Sequence, residues 1–400
     1  MTRNQRILQL GALSTGHFFT DMFGGSFAPL LPSLADWLHT DFAVVSIIAS
    51  VVGIVVNGIQ PFAGAVVHRF RLPIFLLLGP LLAVGFLLVG EVRSPAQLLV
   101  LACLAAVGVG IFHPSALLGA HVVSGAQDRV GIPVFLSGGA FGVAAGAVLA
   151  TQWVAWQGYE RLWWLAVPGV LLVLGLYLST GLLRLNIHQA IPEHVQRASL
   201  RLPFSALLTL GGLLGITITL LMTFFPKHLE TFLTKEQALV WGGLALGIIS
   251  ISGALTSYLW GVLSRRVSVL RLLAAGQAVA VISLLLLINT RSVAGVAGFS
   301  VLAGMFAGTA FFPNIAGLAR HAYGLTPGLR AGLMIGGSWS IGAMCVILCA
   351  GLLKVGITVT QVLVFTIPLT VITAVLALVF DRQHVDRTEA RLAATVESGR

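Results

Sequence analysis

Charged side chains are scarce in this 400-residue sequence, where Asp, Glu, Lys and Arg together make up 9% of the residues. A soluble protein normally carries about 25% charged residues, because its whole surface faces water. Apolar residues make up 57% of the chain, and they recur in runs of roughly 20, each long enough to cross a hydrocarbon core ~30 Å thick. The composition therefore excludes a soluble protein and predicts a membrane protein with many spans.

Cysteine is equally rare. Cys103, Cys345 and Cys349 all lie inside apolar runs, and the chain contains no C-x-x-C motif, so we interpret these three as small packing residues. Neither G-x-x-x-x-G-K-[ST] nor a dinucleotide fingerprint after a strand occurs. We therefore expect no cofactor, no use of ATP by this chain and no enzymatic activity.

The apolar runs predict an all-α membrane protein with twelve transmembrane helices in two pseudo-symmetric bundles of six. The predicted spans are 7–33, 42–67, 72–90, 96–121, 130–156, 162–183, 204–226, 237–263, 268–289, 293–319, 329–353 and 358–380. A single long hydrophilic stretch lies between the sixth and seventh spans. We therefore expect an N-terminal bundle at 1–183, a cytoplasmic linker at 184–203, a C-terminal bundle at 204–380 and a cytoplasmic tail at 381–400.

The basic residues are unevenly divided between the two sides of this predicted topology. The side with both termini and the linker collects 17 of the 23 Lys and Arg residues, and the other side has six. Positive charge accumulates on the cytoplasmic side of membrane proteins, so both termini are predicted to be cytoplasmic. The same bias accounts for the net charge of +10 without a nucleic-acid partner.

Two pairs of segments repeat between the halves. GVGIFHPSALLGAH (108–121) corresponds to AGTAFFPNIAGLARH (307–321), and the loop sequence GAVVHR (64–69) corresponds to GVLSRR (261–266). Six-span halves in parallel repeat are typical of transporters of the major facilitator type, which have a central binding cavity. We interpret the second pair as gate loops, with Gly64, His68 and Arg69 in one half and Gly261, Arg265 and Arg266 in the other.

Asp21 is the only acid that the predicted topology places inside the membrane, since six of the 13 carboxylates fall in segments on each side. An intramembrane acid is costly to insert and usually functional. His17 lies one helical turn earlier on the same face, and His113 of span 4 is expected at a similar depth. We interpret these three as a site for proton coupling or substrate binding. A purely structural Asp–His bond between spans 1 and 4 and metal ligation by the three groups are the alternatives, and we expect no metal.

Polar and aromatic residues at membrane depth form a second, weaker set of candidates for the substrate cavity. Any one of them is more often a packing residue than a ligand contact. The candidates are Asn57, Gln60, Thr219, Met222, Phe225, Phe311, Asn314 and Trp339.

Four segments, HFFTDMF (17–23), QPFAG (60–64), GIFHPSA (110–116) and FLSGGAFG (135–142), resemble the fosmidomycin-resistance family of major facilitator transporters. The resemblance is strong over the N-terminal half and weaker over the C-terminal half. It implies the major facilitator fold and drug efflux across the bacterial inner membrane. Two departures weaken the family pattern: His68 replaces the usual Asp of the loop 2–3 signature, and Ala147 stands where the antiporter signature has Pro.

Together these observations predict a secondary active transporter that moves a small organic solute by alternating access, with protons as the coupling ion and export as the direction. The expected partners are the substrate, protons and membrane lipids, and the expected state is a monomer. Uptake by proton symport and a non-transporting receptor or scaffold are the alternatives. A scaffold gains nothing from a buried acid, so Asp21 favours a carrier.

The topology makes a direct prediction. A reporter fused after Arg400 or inserted near His194 should report a cytoplasmic location, and one inserted near Glu160 a periplasmic location, because positive charge fixes the orientation. Paired alkaline phosphatase and green fluorescent protein fusions measure this. A periplasmic signal at Arg400 or His194 would contradict the orientation.

Overall fold

The computed structural model describes residues 2–70, 73–125, 128–185, 202–319, 321–325 and 327–398. These residues are almost entirely helical, with one isolated parallel bridge between Pro203 and Tyr323. The linker predicted at 184–203 falls largely outside them. The all-α prediction is confirmed, and helices occur at each of the twelve predicted spans.

Sixteen α-helices are present in the described part of the chain. In order they are α1 Arg3–Gly25, α2 Phe27–Trp37, α3 Phe42–Phe70, α4 Ile74–Ala83, α5 Pro95–Ser124, α6 Asp128–Gln157, α7 Ala166–Ser179, α8 Phe204–Leu229, α9 Lys235–Leu263, α10 Val269–Asn289, α11 Val293–Phe306, α12 Gly308–Ala319, α13 Pro327–Gly332, α14 Ser338–Leu353, α15 Val359–Val364 and α16 Thr366–Ser398. Short 3-10 turns follow α4 and precede α7, and a π-helical turn, Leu333–Gly337, joins α13 to α14.

Ten helical runs are long and apolar enough to cross a membrane, among the residues that the structure describes. The two other predicted spans are the shorter apolar run Ile74–Leu87 and the run that α1 and α2 make together. The first span is interrupted at Ser26, three residues before Pro29. Proline has no N–H for the carbonyl four residues earlier, here Gly25, and its ring clashes with that carbonyl. Proline therefore accounts for the interruption.

The chain divides into two compact units whose boundaries differ from the two halves of the sequence. The first unit comprises Met1–Pro192, Met222–Ile251 and Ala343–Val359, and the second comprises Glu193–Leu221, Ser252–Gly342 and Thr360–Arg400. The first unit thus combines the N-terminal six spans with one end of α8, of α9 and of α14.

Within the first unit, α1 packs closely on α6. A Cβ atom added at Gly138 would lie 2.5 Å from the carbonyl oxygen of Ser14, and Gly142 and Gly146 meet the carbonyl oxygens of Phe18 and Met22 in the same way. Glycines four residues apart in a membrane helix allow this backbone-to-backbone contact, since no side chain separates the helices.

The segment of α9 in the first unit also packs on α6 through small residues. A Cβ at Gly243 would collide with the Thr151 side chain and the Ala147 carbonyl, and Gly247 faces Val148. Nearby, Nζ of Lys235 donates to a carboxylate oxygen of Asp36 at 2.8 Å. This ion pair is largely exposed and contributes little by itself. The close helix packing is therefore the principal contact between these segments.

In the second unit, α10 is held to α16 by one ionic contact. Nε of Arg271 donates to Asp381 at 2.6 Å, and the Ser268 hydroxyl donates to the other carboxylate oxygen at 2.5 Å. The side chain of Asp381 is 4% exposed. The buried carboxylate thus has two donors, which offset the cost of its burial.

The seam between α6 and α9 predicts a packing defect. Gly243→Ala should lower the free energy of unfolding by ~1–3 kcal/mol, because the methyl group meets a backbone carbonyl that cannot move aside. Thermal unfolding in detergent measures this. Gly351→Ala is the matched control, since nothing lies within 4 Å of its Cβ position, and alanine should there stabilise the helix slightly. Equal unfolding temperatures for the two variants would contradict the seam.

Candidate functional site

Two helices of the first unit, α1 and α5, bring Asp21, His17 and His113 together. Oδ2 of Asp21 lies 3.2 Å from Nε2 of His17, and Oδ1 lies 3.1 Å from Nε2 of His113. The first pair lies one turn apart on α1, and His113 lies on α5. The sequence reasoning expected these three side chains to meet, and they do. We call them the acid–histidine cluster.

The cluster lies near the middle of the membrane-spanning helices. Asp21 is near the centre of the 35 residues that run from the start of α1 to the end of α2, and His113 is a few residues beyond the centre of α5. His17 is buried, the Asp21 side chain is 14% exposed and that of His113 is 27% exposed. The cluster is therefore enclosed on the His17 side and partly open on the His113 side.

Backbone carbonyls fix the orientation of both imidazoles. Nδ1 of His17 lies 2.9 Å from the carbonyl oxygen of Phe135 on α6, and Nδ1 of His113 lies 2.9 Å from that of Val109 on α5. A carbonyl only accepts, so each Nδ1 carries a hydrogen and donates it, an assignment made from the partners. The Phe135 ring also stacks on His17, with ring centroids 4.3 Å apart.

The absence of a side chain at Gly139 of α6 leaves room for the cluster. A Cβ atom there would lie 2.5 Å from Oδ2 of Asp21 and equally close to the ring of His17. Sequence reasoning did not single out Gly139 or the carbonyl of Phe135. The two consecutive glycines within FLSGGAFG were the available signal. The first, Gly138, meets the backbone of α1, and the second, Gly139, meets the cluster.

The ligand types and spacing also bear on metal binding. One nitrogen or oxygen from each of His17, Asp21 and His113 lies within 4.8 Å of the others. Two imidazoles and a carboxylate are acceptable zinc ligands, but no fourth His, Cys or carboxylate joins the group among the described residues. With only three such ligands from the described residues, we assign no metal here.

The cavity candidates are distributed over both units. In the first unit, Asn57 and Gln60 are partly buried on α3, Met222 is partly buried on α8, and Phe225 is fully buried. The amide of Asn57 donates to the Gly53 carbonyl of its own helix at 2.7 Å. Because this hydrogen bond stays within α3, the Asn57 side chain can still face a cavity. The full burial of Phe225 favours a packing role for that residue.

In the second unit, Thr219 donates to the Gly215 carbonyl and Trp339 packs on Phe312. Phe311 is 1% exposed and stacks on Trp260, with centroids 4.8 Å apart. The amide of Asn314 donates to the Ser257 carbonyl at 3.2 Å, which ties α12 to α9. Both Phe311 and Asn314 therefore have packing roles, and ligand binding by any of these residues stays a prediction.

The gate loops are only partly described. Gly64 faces Pro114, with 3.6 Å between its Cβ position and the proline Cβ, and Gly261 faces the amide oxygen of Asn314 at 3.3 Å. Arg265 and Arg266 are exposed in the turn after α9. The side chains of His68 and Arg69 lie outside the described part of the structure.

Comparison with known proteins places this architecture in a family. A family model described as Major Facilitator Superfamily matches residues 13–334. The chain belongs to the Major Facilitator Superfamily. It is therefore a multi-pass membrane protein of a transporter family, as the sequence resemblance implied.

Individual relatives agree with this assignment. The chain is 26% identical over 165 residues to the fosmidomycin resistance protein of Escherichia coli (strain K12), a match covering 41% of each chain. The match thus spans about two fifths of the length of that relative.

Two solved transporters, each 15% identical, share the fold. A variant of the nucleoside transporter NupG has a TM-score of 0.69 and covers 93% of this chain and 99% of its own. A bacterial homologue of the human lysosomal transporter Spinster, inward-facing and occupied, has a TM-score of 0.71 and covers 96% and 99%.

The space at Gly139 predicts a selective loss of function. Gly139→Ala should fold and insert but lower transport by about tenfold or more, because the methyl group displaces Asp21 or His17 by about 1 Å. Transport by purified protein in liposomes measures this. Gly58→Ala is the matched control, since its Cβ position is open. Full activity in Gly139→Ala would show that the geometry of the cluster is not required.

Proposed function

We propose that this protein is a secondary active transporter that exports a small organic solute across the bacterial inner membrane in exchange for protons. Asp21, His17 and His113 are its proton-binding groups. The observation that carries the proposal is a carboxylate at mid-membrane depth in contact with two imidazoles. No enzymatic activity is proposed.

The partial exposure of the cluster supports coupling over a purely structural bond. Well-packed apolar side chains usually replace a buried polar pair without loss of stability, so a structural link does not need these groups. A structural bond also gains from complete burial, whereas the His113 side chain is 27% exposed. A partly exposed imidazole beside a partly buried acid can exchange protons with water that enters the transporter, which coupling requires.

The direction of transport rests on the relative found by sequence. That protein is named for fosmidomycin resistance, and the match covers 41% of each chain. We infer from that name that this protein exports a drug or metabolite. Proton-coupled uptake is the second candidate, because Ala147 replaces the proline of the antiporter signature. Both directions use the same cluster. Of the cavity candidates, the partly buried Asn57, Gln60 and Met222 of the first unit are the ones we propose to contact substrate.

Alternating access requires one end of the transporter to close while the other opens. In the first unit, segments from the C-terminal half pack on α6, and Phe42 of α3 packs on Phe224 of α8, with ring centroids 5.9 Å apart. We propose that these contacts close the periplasmic end and that the loops at Gly64 and Gly261 form the cytoplasmic gate. We also propose that both termini are cytoplasmic and that the protein is a monomer.

Replacement of the acid tests the proposal. Asp21→Asn should insert and unfold at close to the wild-type temperature but lose gradient-driven transport while keeping passive exchange, because asparagine retains the size of the acid and cannot release a proton. His17→Ala should shift the pH dependence of transport instead of abolishing it, since it removes a neighbour that biases ionisation of the acid.

The measurement is flux in liposomes with an imposed pH gradient, screened with phosphonates including fosmidomycin, lipophilic drugs and sugars. Glu91→Gln removes an exposed carboxylate and should leave transport unchanged. Wild-type coupled flux in Asp21→Asn would overturn the mechanism. A structural role predicts instead that both cluster variants melt at lower temperature with coupling intact.

A further inference from the structure

The hydrogen bonds of the two imidazoles determine how many protons the acid–histidine cluster needs. Both Nδ1 atoms already donate to carbonyl oxygens, those of Phe135 and Val109. In a neutral imidazole whose Nδ1 carries the hydrogen, Nε2 has only a lone pair and accepts. Both Nε2 atoms face oxygens of Asp21, and an ionised carboxylate also only accepts. Without further protons, each of the two contacts would join two acceptors.

Each contact therefore requires one proton of its own. One lies between Nε2 of His17 and Oδ2 of Asp21, at 3.2 Å, and one between Nε2 of His113 and Oδ1, at 3.1 Å. The two protons use different oxygens, so neither can serve both contacts. With both present, every polar atom of the cluster has a hydrogen-bond partner. With one present, one contact has two facing acceptors and opens.

We infer that this closed cluster holds two protons and releases both in each transport cycle, and that the first leaves through His113. The inference rests on the proposed proton-coupled function. Two protons entering and two leaving balance the cycle, and each passes between a ring nitrogen or carboxylate oxygen and water.

The order of release follows from the unequal surroundings of the two rings. His17 is 4% exposed and is held by the stacked ring of Phe135. The His113 side chain is 27% exposed and meets His17 edge-on, with ring centroids 5.2 Å apart. Only His113 has room to turn away when its contact loses its proton. His17, held by the Phe135 carbonyl and ring, therefore retains the second proton after the first has left.

Few other titratable groups face the cluster. Tyr177 of α7 is the other titratable side chain at similar depth, among the described residues of the helices that pack against α1. Its hydroxyl lies beside Gly16. His121 of α5 lies about two turns from His113, Arg6 on α1 lies about three turns from His17, and Asp36 on α2 lies about four turns from Asp21. The proton count of the cluster therefore belongs to Asp21 and the two histidines.

The number of protons per substrate tests the inference. With the first compound that the wild-type protein transports in the screen, the substrate gradient that just balances an imposed pH gradient gives the stoichiometry. We expect two protons for the wild type and one for His113→Gln or His17→Gln. His39→Asn, in an exposed turn where asparagine tolerates the positive φ of 47°, should keep two.

The outcomes separate the two proposals. A wild-type value of one would overturn the two-proton inference and leave proton coupling intact, whereas zero would overturn the proposed function itself. Nitrogen NMR of histidine-labelled full-length protein in lipid nanodiscs gives a second measurement that needs no substrate. We expect Nδ1 of both residues to remain protonated at every pH, with the proton of Nε2 gained or lost. A neutral form protonated on Nε2 in either residue would overturn the inference.

Discussion

The contact between the backbones of α1 and α6 is the constraint on which the site depends. Because Gly138, Gly142 and Gly146 have no side chains, the carbonyls of α1 pack against Cα atoms of α6. At that separation the Phe135 carbonyl reaches the ring of His17, and Gly139 leaves space for Asp21. A wider spacing would leave His17 without its acceptor, and a buried donor without a partner costs about 1–3 kcal/mol. The polar chemistry of the cluster is thus a result of the steric properties of glycine.

The cluster also shows how a membrane protein can keep an acid in a low-dielectric interior. An isolated carboxylate there is expensive, but Asp21 has a nitrogen within 3.2 Å of each oxygen. The two imidazoles are in turn anchored by backbone carbonyls of two different helices. The acid is therefore stabilised by groups from three helices, and its environment changes whenever one of them moves.

Much of this arrangement follows from the sequence, and the remainder has a physical explanation. The spans follow from hydrophobic length, and the meeting of Asp21 with His17 and His113 follows from helical spacing and depth. The interruption at Ser26 was not predicted, although Pro29 was visible, because prolines in membrane helices are often accommodated by neighbouring helices. The anchoring carbonyl of Phe135 has no sequence signal, since every residue carries a carbonyl. The assignment of α8, α9 and α14 segments to the first unit depends on contacts between particular residues, such as Gly243 with Thr151, which helical patterns do not encode.

The helix α6 meets neighbours on two faces, α1 through its glycines and α9 through Ala147, Val148 and Thr151. Bulk cannot be added on either face without displacing a backbone. Four other side chains of this helix, Val134, Leu136, Phe141 and Leu149, are 42–50% exposed, and apolar residues of other shapes can replace them without displacing a backbone. Evolutionary drift in this helix is consequently confined to such exposed positions.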